Sequence, residues 1–124
     1  MKEKIEILIV EDEKSVRGLY SIMLDLINCT YRMAESYGEA IDLLEKYEFR
    51  VCILDVNLKE KEFNGVELAI KLKNETSIEK IFVVTGYGHI FDEYDSNIAG
   101  IDKVFNKPDG FRPLIKEIKE YLGK

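Results

Sequence analysis

Five short apolar runs, each followed by a helix-period stripe, leave this chain few folds to choose from. The first run, Ile5-Glu6-Ile7-Leu8-Ile9-Val10, is nearly continuous in β-branched residues instead of alternating. Such runs suit strands covered on both faces. Val16, Leu19, Tyr20, Met23 and Leu26 then recur at helical spacing, and Asn28 offers a stop. Residues 30–34 form a second strand. Ser36, with Glu39 three positions on, has the pattern of a capping box, and Ala40, Ile41, Leu44 and Tyr47 give a second helical stripe. Val51-Cys52-Ile53-Leu54 is a third strand ending in Asp55. After a polar loop, Gly65 opens a helix carrying Val66, Ala69, Ile70 and Leu72. A fourth strand covers residues 80–85 and is broken by Gly86-Tyr87-Gly88. A weak helix over residues 89–98 and a short strand over 103–106 follow. The last helix carries Phe111, Leu114, Ile115, Ile118, Tyr121 and Leu122, with Pro113 in its first turn. Strands alternating with helices in this way predict a doubly wound α/β fold, a five-stranded parallel sheet with five helices.

The 124 residues predict a single domain spanning the whole chain. A net charge of −6 argues against a nucleic-acid surface, which needs a basic stripe. No apolar run reaches the length of a membrane span or of a secretory signal, so no membrane association and a cytoplasmic location are expected. Cys29 and Cys52 lack metal-ligand spacing, which speaks against a zinc site or a disulfide scaffold. One histidine, His89, leaves little material for histidine-based catalysis.

In a fold of this kind ligands sit outside the carboxyl ends of the strands. Those ends carry Glu11-Asp12-Glu13, Asp55 with Asn57 two residues on, Thr85-Gly86, and Asn106-Lys107-Pro108. Each has a bland reading: acids often start helices, and lysines often lie on surfaces. Their convergence on one rim is the informative feature. Two unit charges 4 Å apart repel by about 4 kcal/mol at an effective dielectric of 20. Clustered carboxylates therefore call for a hard, oxygen-seeking cation such as Mg2+, with Lys107 offsetting the rest. An aspartate, a dication, a lysine and a hydroxyl suit phosphoryl transfer to the carboxylate of Asp55.

These motifs, in this order and spacing, resemble the response regulator receiver domains of two-component signalling, CheY-like in type. The carriers are Ile7-Leu8-Ile9-Val10-Glu11-Asp12-Glu13, Ile53-Leu54-Asp55-Val56-Asn57-Leu58, Val83-Val84-Thr85-Gly86-Tyr87-Gly88, and Ala99-Gly100-Ile101-Asp102 leading to Lys107-Pro108. The resemblance implies a flavodoxin-like sheet of order 2-1-3-4-5. It implies that Asp55 takes a phosphoryl group from a phosphohistidine of a sensor histidine kinase or phosphotransfer protein. It also implies that Glu11, Asp12, Asp55 and the backbone carbonyl of Asn57 hold Mg2+, and that Thr85 and Lys107 contact the phosphoryl group. The Lys107-Pro108 bond is expected to be cis. An output partner or fused effector domain is implied but not named by these residues. The phosphoryl donor is expected to be another molecule or another domain, since His89 is the single histidine.

Three positions depart from the family pattern. Lys59 stands where a proline is usual, the loop after Asp55 is about two residues long for the family, and Val104 replaces the usual aromatic residue three before Lys107. With Val104 too short and stiff to swing inward, switching is expected to run through Thr85, the Gly86-Tyr87-Gly88 loop and residues 89–98. Phe105 should face the opposite side of its strand. Two other readings compete. One is a receiver-like interaction module that works without phosphate. The other is a Mg2+-dependent phosphohydrolase with an aspartyl-phosphate intermediate, which lacks its second acid at Asn57. The favoured reading is a phosphoacceptor and not a dedicated enzyme.

Overall fold

A computed structural model describes residues 2–55, 65–85, 100–107 and 109–124, with side chains of the third helix described from residue 68 onward. Among these residues, five parallel strands form one sheet in the order β2-β1-β3-β4-β5. The strands are β1 (Glu3–Val10), β2 (Tyr31–Ala34), β3 (Tyr47–Asp55), β4 (Lys80–Thr85) and β5 (Lys103–Asn106). Four described helices accompany them: α1 (Lys14–Leu26), α2 (Tyr37–Lys46), α3 (Gly65–Glu75) and α4 (Phe111–Leu122). The helix expected over residues 89–98 lies outside the described residues.

Period-two alternation sorts the strand residues into two cores. Leu8, Val10, Cys52, Leu54, Ile81 and Val83 pack with Tyr37 and Ala40 of α2 and Leu68, Ala69 and Leu72 of α3. Ile7, Ile9, Val51, Ile53, Phe82, Val84 and Phe105 pack with Tyr20 and Leu24 of α1 and Leu114 and Ile118 of α4. The two cores lie on opposite faces, so the fold is doubly wound. It also explains why β1 is apolar at consecutive positions: Ile7 through Val10 are all fully buried.

Helix ends follow local chemistry. Ser36 Oγ accepts the Glu39 N–H, while the Glu39 carboxylate accepts the Glu35 N–H, a capping box displaced by one residue. Asn28, at φ 58°, ends α1 in the left-handed region; Cys29 N–H donates to Leu24 O and Asn28 N–H to Asp25 O. This is a Schellman arrangement.

Two sequence readings need correction. In α1, Leu24 is buried, whereas Leu19 and Leu26 are 39% and 78% exposed. The helix has more apolar residues than one face holds, and it packs on the core it shares with α4 through Val16, Tyr20, Met23 and Leu24, with Ile27 at its C-cap. Tyr47 opens β3 and does not extend α2, because Glu3 and Lys4 of β1 pair with Tyr47 and Glu48. Strand pairing there outweighs helical periodicity.

Candidate functional site

Parallel strands bring their carboxyl ends to one edge of the sheet. Val10 stands beside Leu54 in β3 and Ala34 in β2, so the next residues, Glu11 and Asp55, emerge side by side. The Glu11 N–H donates to Ala34 O at 3.0 Å, which prolongs the pairing by one step. Both acids are buried, Glu11 at 1% and Asp55 at 3% exposure, and Asp12 is half-buried. Carboxylate oxygens of Glu11, Asp12 and Asp55 all lie within 4.8 Å of one another.

Lys107 reaches this cluster from the far side of the sheet. Its Nζ donates to Glu11 Oε1 at 2.9 Å and to Asp55 Oδ2 at 3.2 Å. Its own N–H donates to Thr85 O at 2.9 Å, which ties the lysine to the end of β4. The turn behind it is tight: Gly110 N–H donates to Asn106 O at 2.6 Å, and a Cβ on Gly110 would lie 2.5 Å from that oxygen. Thr85 is fully buried at the end of β4. Asp55 pairs with Val84, so Thr85 lies one residue beyond it on the neighbouring strand.

The electrostatics are those of a cluster with excess negative charge. Burial pushes the Glu11 carboxyl up to about 7, and its contact with Asp55 adds to this, against the opposing pull of Lys107 and the Glu13 N–H. Burial draws the Lys107 ammonium down, but its hydrogen bond to Glu11 and attraction to Asp55 outweigh that and hold it above the ordinary lysine value. Three carboxylates against one ammonium leave the site a cation short. An oxygen-only donor set with that deficit fits a hard divalent ion such as Mg2+.

The expected residues Glu11, Asp12, Asp55 and Lys107 thus come together, with Thr85 on the adjoining strand end. Asn57, Pro108, Gly86-Tyr87-Gly88 and residues 89–98 lie outside the described residues. Three neighbours were not singled out by the sequence. Tyr20 is buried behind the acids, its phenol held up by burial and by the charges of Glu11 and Asp55. Tyr37 Oη donates to the Asp55 carbonyl at 3.5 Å. Arg17 donates to Glu11 O. Of these, Arg17 left a readable sign: a basic residue in the first turn of a helix, where the macrodipole favours acids.

The family model for the response regulator receiver domain matches residues 7–119. The chain belongs to the response regulator receiver domain family. This receiver is 28% identical over 119 residues to the transcriptional regulatory protein SrrA of Staphylococcus aureus, covering 96% of the chain and 48% of SrrA. It therefore spans about half the length of the curated relatives it matches. A solved CheY-like receiver domain protein from Methanospirillum hungatei is 28% identical, with a TM-score of 0.80 over 99% of this chain and 95% of that one. A chain in the crystal structure of the histidine kinase ThkA in complex with the response regulator protein TrrA is 25% identical, with a TM-score of 0.78 over 97% and 98%. The solved relatives of this receiver thus include one bound to a histidine kinase.

Proposed function

We propose that this chain is a single receiver domain in which Asp55 accepts a phosphoryl group from a phosphohistidine of a sensor histidine kinase or a phosphotransfer protein. One observation carries the reading: Lys107 Nζ bridges the buried carboxylates of Glu11 and Asp55 at the sheet edge, with an Asp12 oxygen within 4.8 Å. In the transfer, an Asp55 carboxylate oxygen forms a bond to phosphorus as the donor's P–N bond breaks. The bonding pair leaves with the imidazole, which departs neutral when its other nitrogen carries a proton. Lys107 supplies fixed positive charge beside the attacked position, where it offsets charge on the phosphoryl oxygens. Thr85 offers a hydroxyl to the same oxygens from the end of β4. Glu11, Asp12, Asp55 and the Asn57 carbonyl would hold Mg2+. When bound, the ion supplies charge neutralisation and orientation for the phosphoryl group.

The switch is proposed to run from Thr85 into residues 86–98. Phe105 is no stand-in for the ring absent at Val104. It packs edge-on against Phe82, centroids 5.9 Å apart, in the α1–α4 core, while Val104 packs in the opposite one. The partner downstream is an output protein or a fused effector, and transfer takes place in the cytoplasm.

Intact-mass analysis after incubation with acetyl phosphate and Mg2+ tests the acceptor. Wild type gains one phosphoryl group and Asp55→Asn gains none. The same adduct on Asp55→Asn would remove Asp55 from the role. A folded wild type that takes no adduct from acetyl phosphate or a kinase would favour the phosphate-independent interaction module.

A further inference from the structure

We propose that Arg17 is a positioning residue that sets the direction of Asp12 toward the cation. The inference rests on the reading of the acidic rim as a Mg2+ site. Arg17 lies in the first turn of α1, its N–H bonded to Glu13 O. A cation there opposes the helix dipole, and the N-cap Glu13 makes no side-chain cap bond, so helix stability does not account for it. The guanidinium turns back instead. One nitrogen donates to Glu11 O at 3.0 Å and the other to Glu35 Oε1 at 3.0 Å. The arginine side chain is 16% exposed, the glutamate 60%. An ion pair so open contributes little in its own right.

The carbonyl contact is the consequential one. Glu11 C=O and Asp12 N–H belong to a single planar peptide. A donor that fixes the carbonyl also fixes that plane, and with it the Cα from which Asp12 departs. Every other polar group of Glu11 is already engaged: its N–H with Ala34 O, one carboxylate oxygen with Glu13 N–H, the other with Lys107. Arg17 completes this set and, through Glu35, anchors it to the residue that follows β2. The guanidinium therefore carries a cost to the cation, since its charge repels an incoming dication. Positioning and charge make opposite forecasts for its removal.

Mg2+ titration followed by tyrosine fluorescence and amide NMR shifts, at pH 8 and fixed ionic strength, separates them. Arg17→Gln removes the charge. Arg17→Lys keeps the charge and loses the fork. Positioning predicts that both bind Mg2+ about tenfold more weakly than wild type, and that Asp12 and Glu13 amides shift in the metal-free state. Lys103→Gln, which breaks the surface pair with Glu117, should leave the affinity unchanged. Binding by Arg17→Gln as tight as wild type, or tighter, overturns the proposal. Should Arg17→Gln not fold, wild-type affinity in Arg17→Lys overturns it. A wild type that takes up no Mg2+ sinks the metal reading itself along with the inference.

Discussion

Glu11 shows how a residue's neighbours outweigh its type. An ordinary glutamate loses its proton near 4.5, but burial first, and Asp55 second, lift this one to about 7. The folded chain then holds a proton that the unfolded chain releases above about pH 4.5. Linkage gives the sign: the stabilisation from this proton is complete below pH 4.5 and is lost as pH rises to about 7. The loss is on the order of 3 kcal/mol at most. Urea unfolding in EDTA should show stability falling between pH 5 and 8, with a clearly smaller fall in Glu11→Gln. Equal slopes in the two proteins would mean that Glu11 is ionised across the range. The sequence displayed Glu11, Asp12, Asp55 and Lys107 because strand ends are easy to find where apolar runs stop. It did not display the role of Arg17 or Tyr37. Their contacts, to main-chain carbonyls of Glu11 and Asp55, depend on how α1 and α2 cross the sheet.

At the scale of elements, β1, β3 and β4 were the most legible strands, because each carries a run of four or five consecutive buried residues, Ile7–Val10, Val51–Asp55 and Ile81–Thr85, that are apolar up to the polar residue at the strand end. The helices were less so. Leu19, Ile22 and Leu26 are as apolar as Leu24, yet they stay exposed and Leu24 is buried; periodicity cannot choose between overlapping stripes when both are apolar. The chain reversal closed by the Gly110 N–H to Asn106 O bond bears directly on the site through Lys107. It positions the backbone of Lys107 after β5, and a Cβ at Gly110 would meet Asn106 O at 2.5 Å, Asn106 N at 2.8 Å and Phe105 Cβ at 2.8 Å. Backbone on two sides cannot yield as a flexible side chain does. Gly110→Ala should therefore destabilise the fold by about 1–3 kcal/mol, the usual range for overpacking. It should also slow phosphorylation by acetyl phosphate, because Lys107 moves with the turn. Thermal denaturation and adduct accumulation measure the two effects. A variant with wild-type midpoint and rate would show that the turn opens freely.

The whole fold brings like charges together at one edge of the sheet. Glu11 and Lys107 are 96 residues apart in sequence, and Lys107 and Asp55 are 52 apart. The unfolded chain cannot assemble this cluster, so a dication that binds it binds the native state alone. Two cores on opposite faces of the sheet provide the rigidity that keeps the acids from relaxing apart. Near-continuous apolar runs between helical stripes made this architecture readable, and the two-residue period of a strand set Val104 and Phe105 toward opposite cores. The sequence had no comparable pattern for residues that meet only through the crossovers. Linkage converts the assembly into a measurable quantity: Mg2+ at one hundred times its dissociation constant should add about 2.7 kcal/mol to stability. For a chain of this size the thermal midpoint should rise by roughly 8–15 °C. Asp12→Ala should lose most of that rise while keeping a folded, cooperative transition, since Asp12 is half-buried and outside both cores. Ca2+ serves as the contrast, because it seeks six to eight oxygens at longer distances than Mg2+ demands. A midpoint in Asp12→Ala that climbs with Mg2+ as steeply as in wild type would place the ion elsewhere on the acidic surface and detach the cation from the Glu11, Asp12 and Asp55 rim.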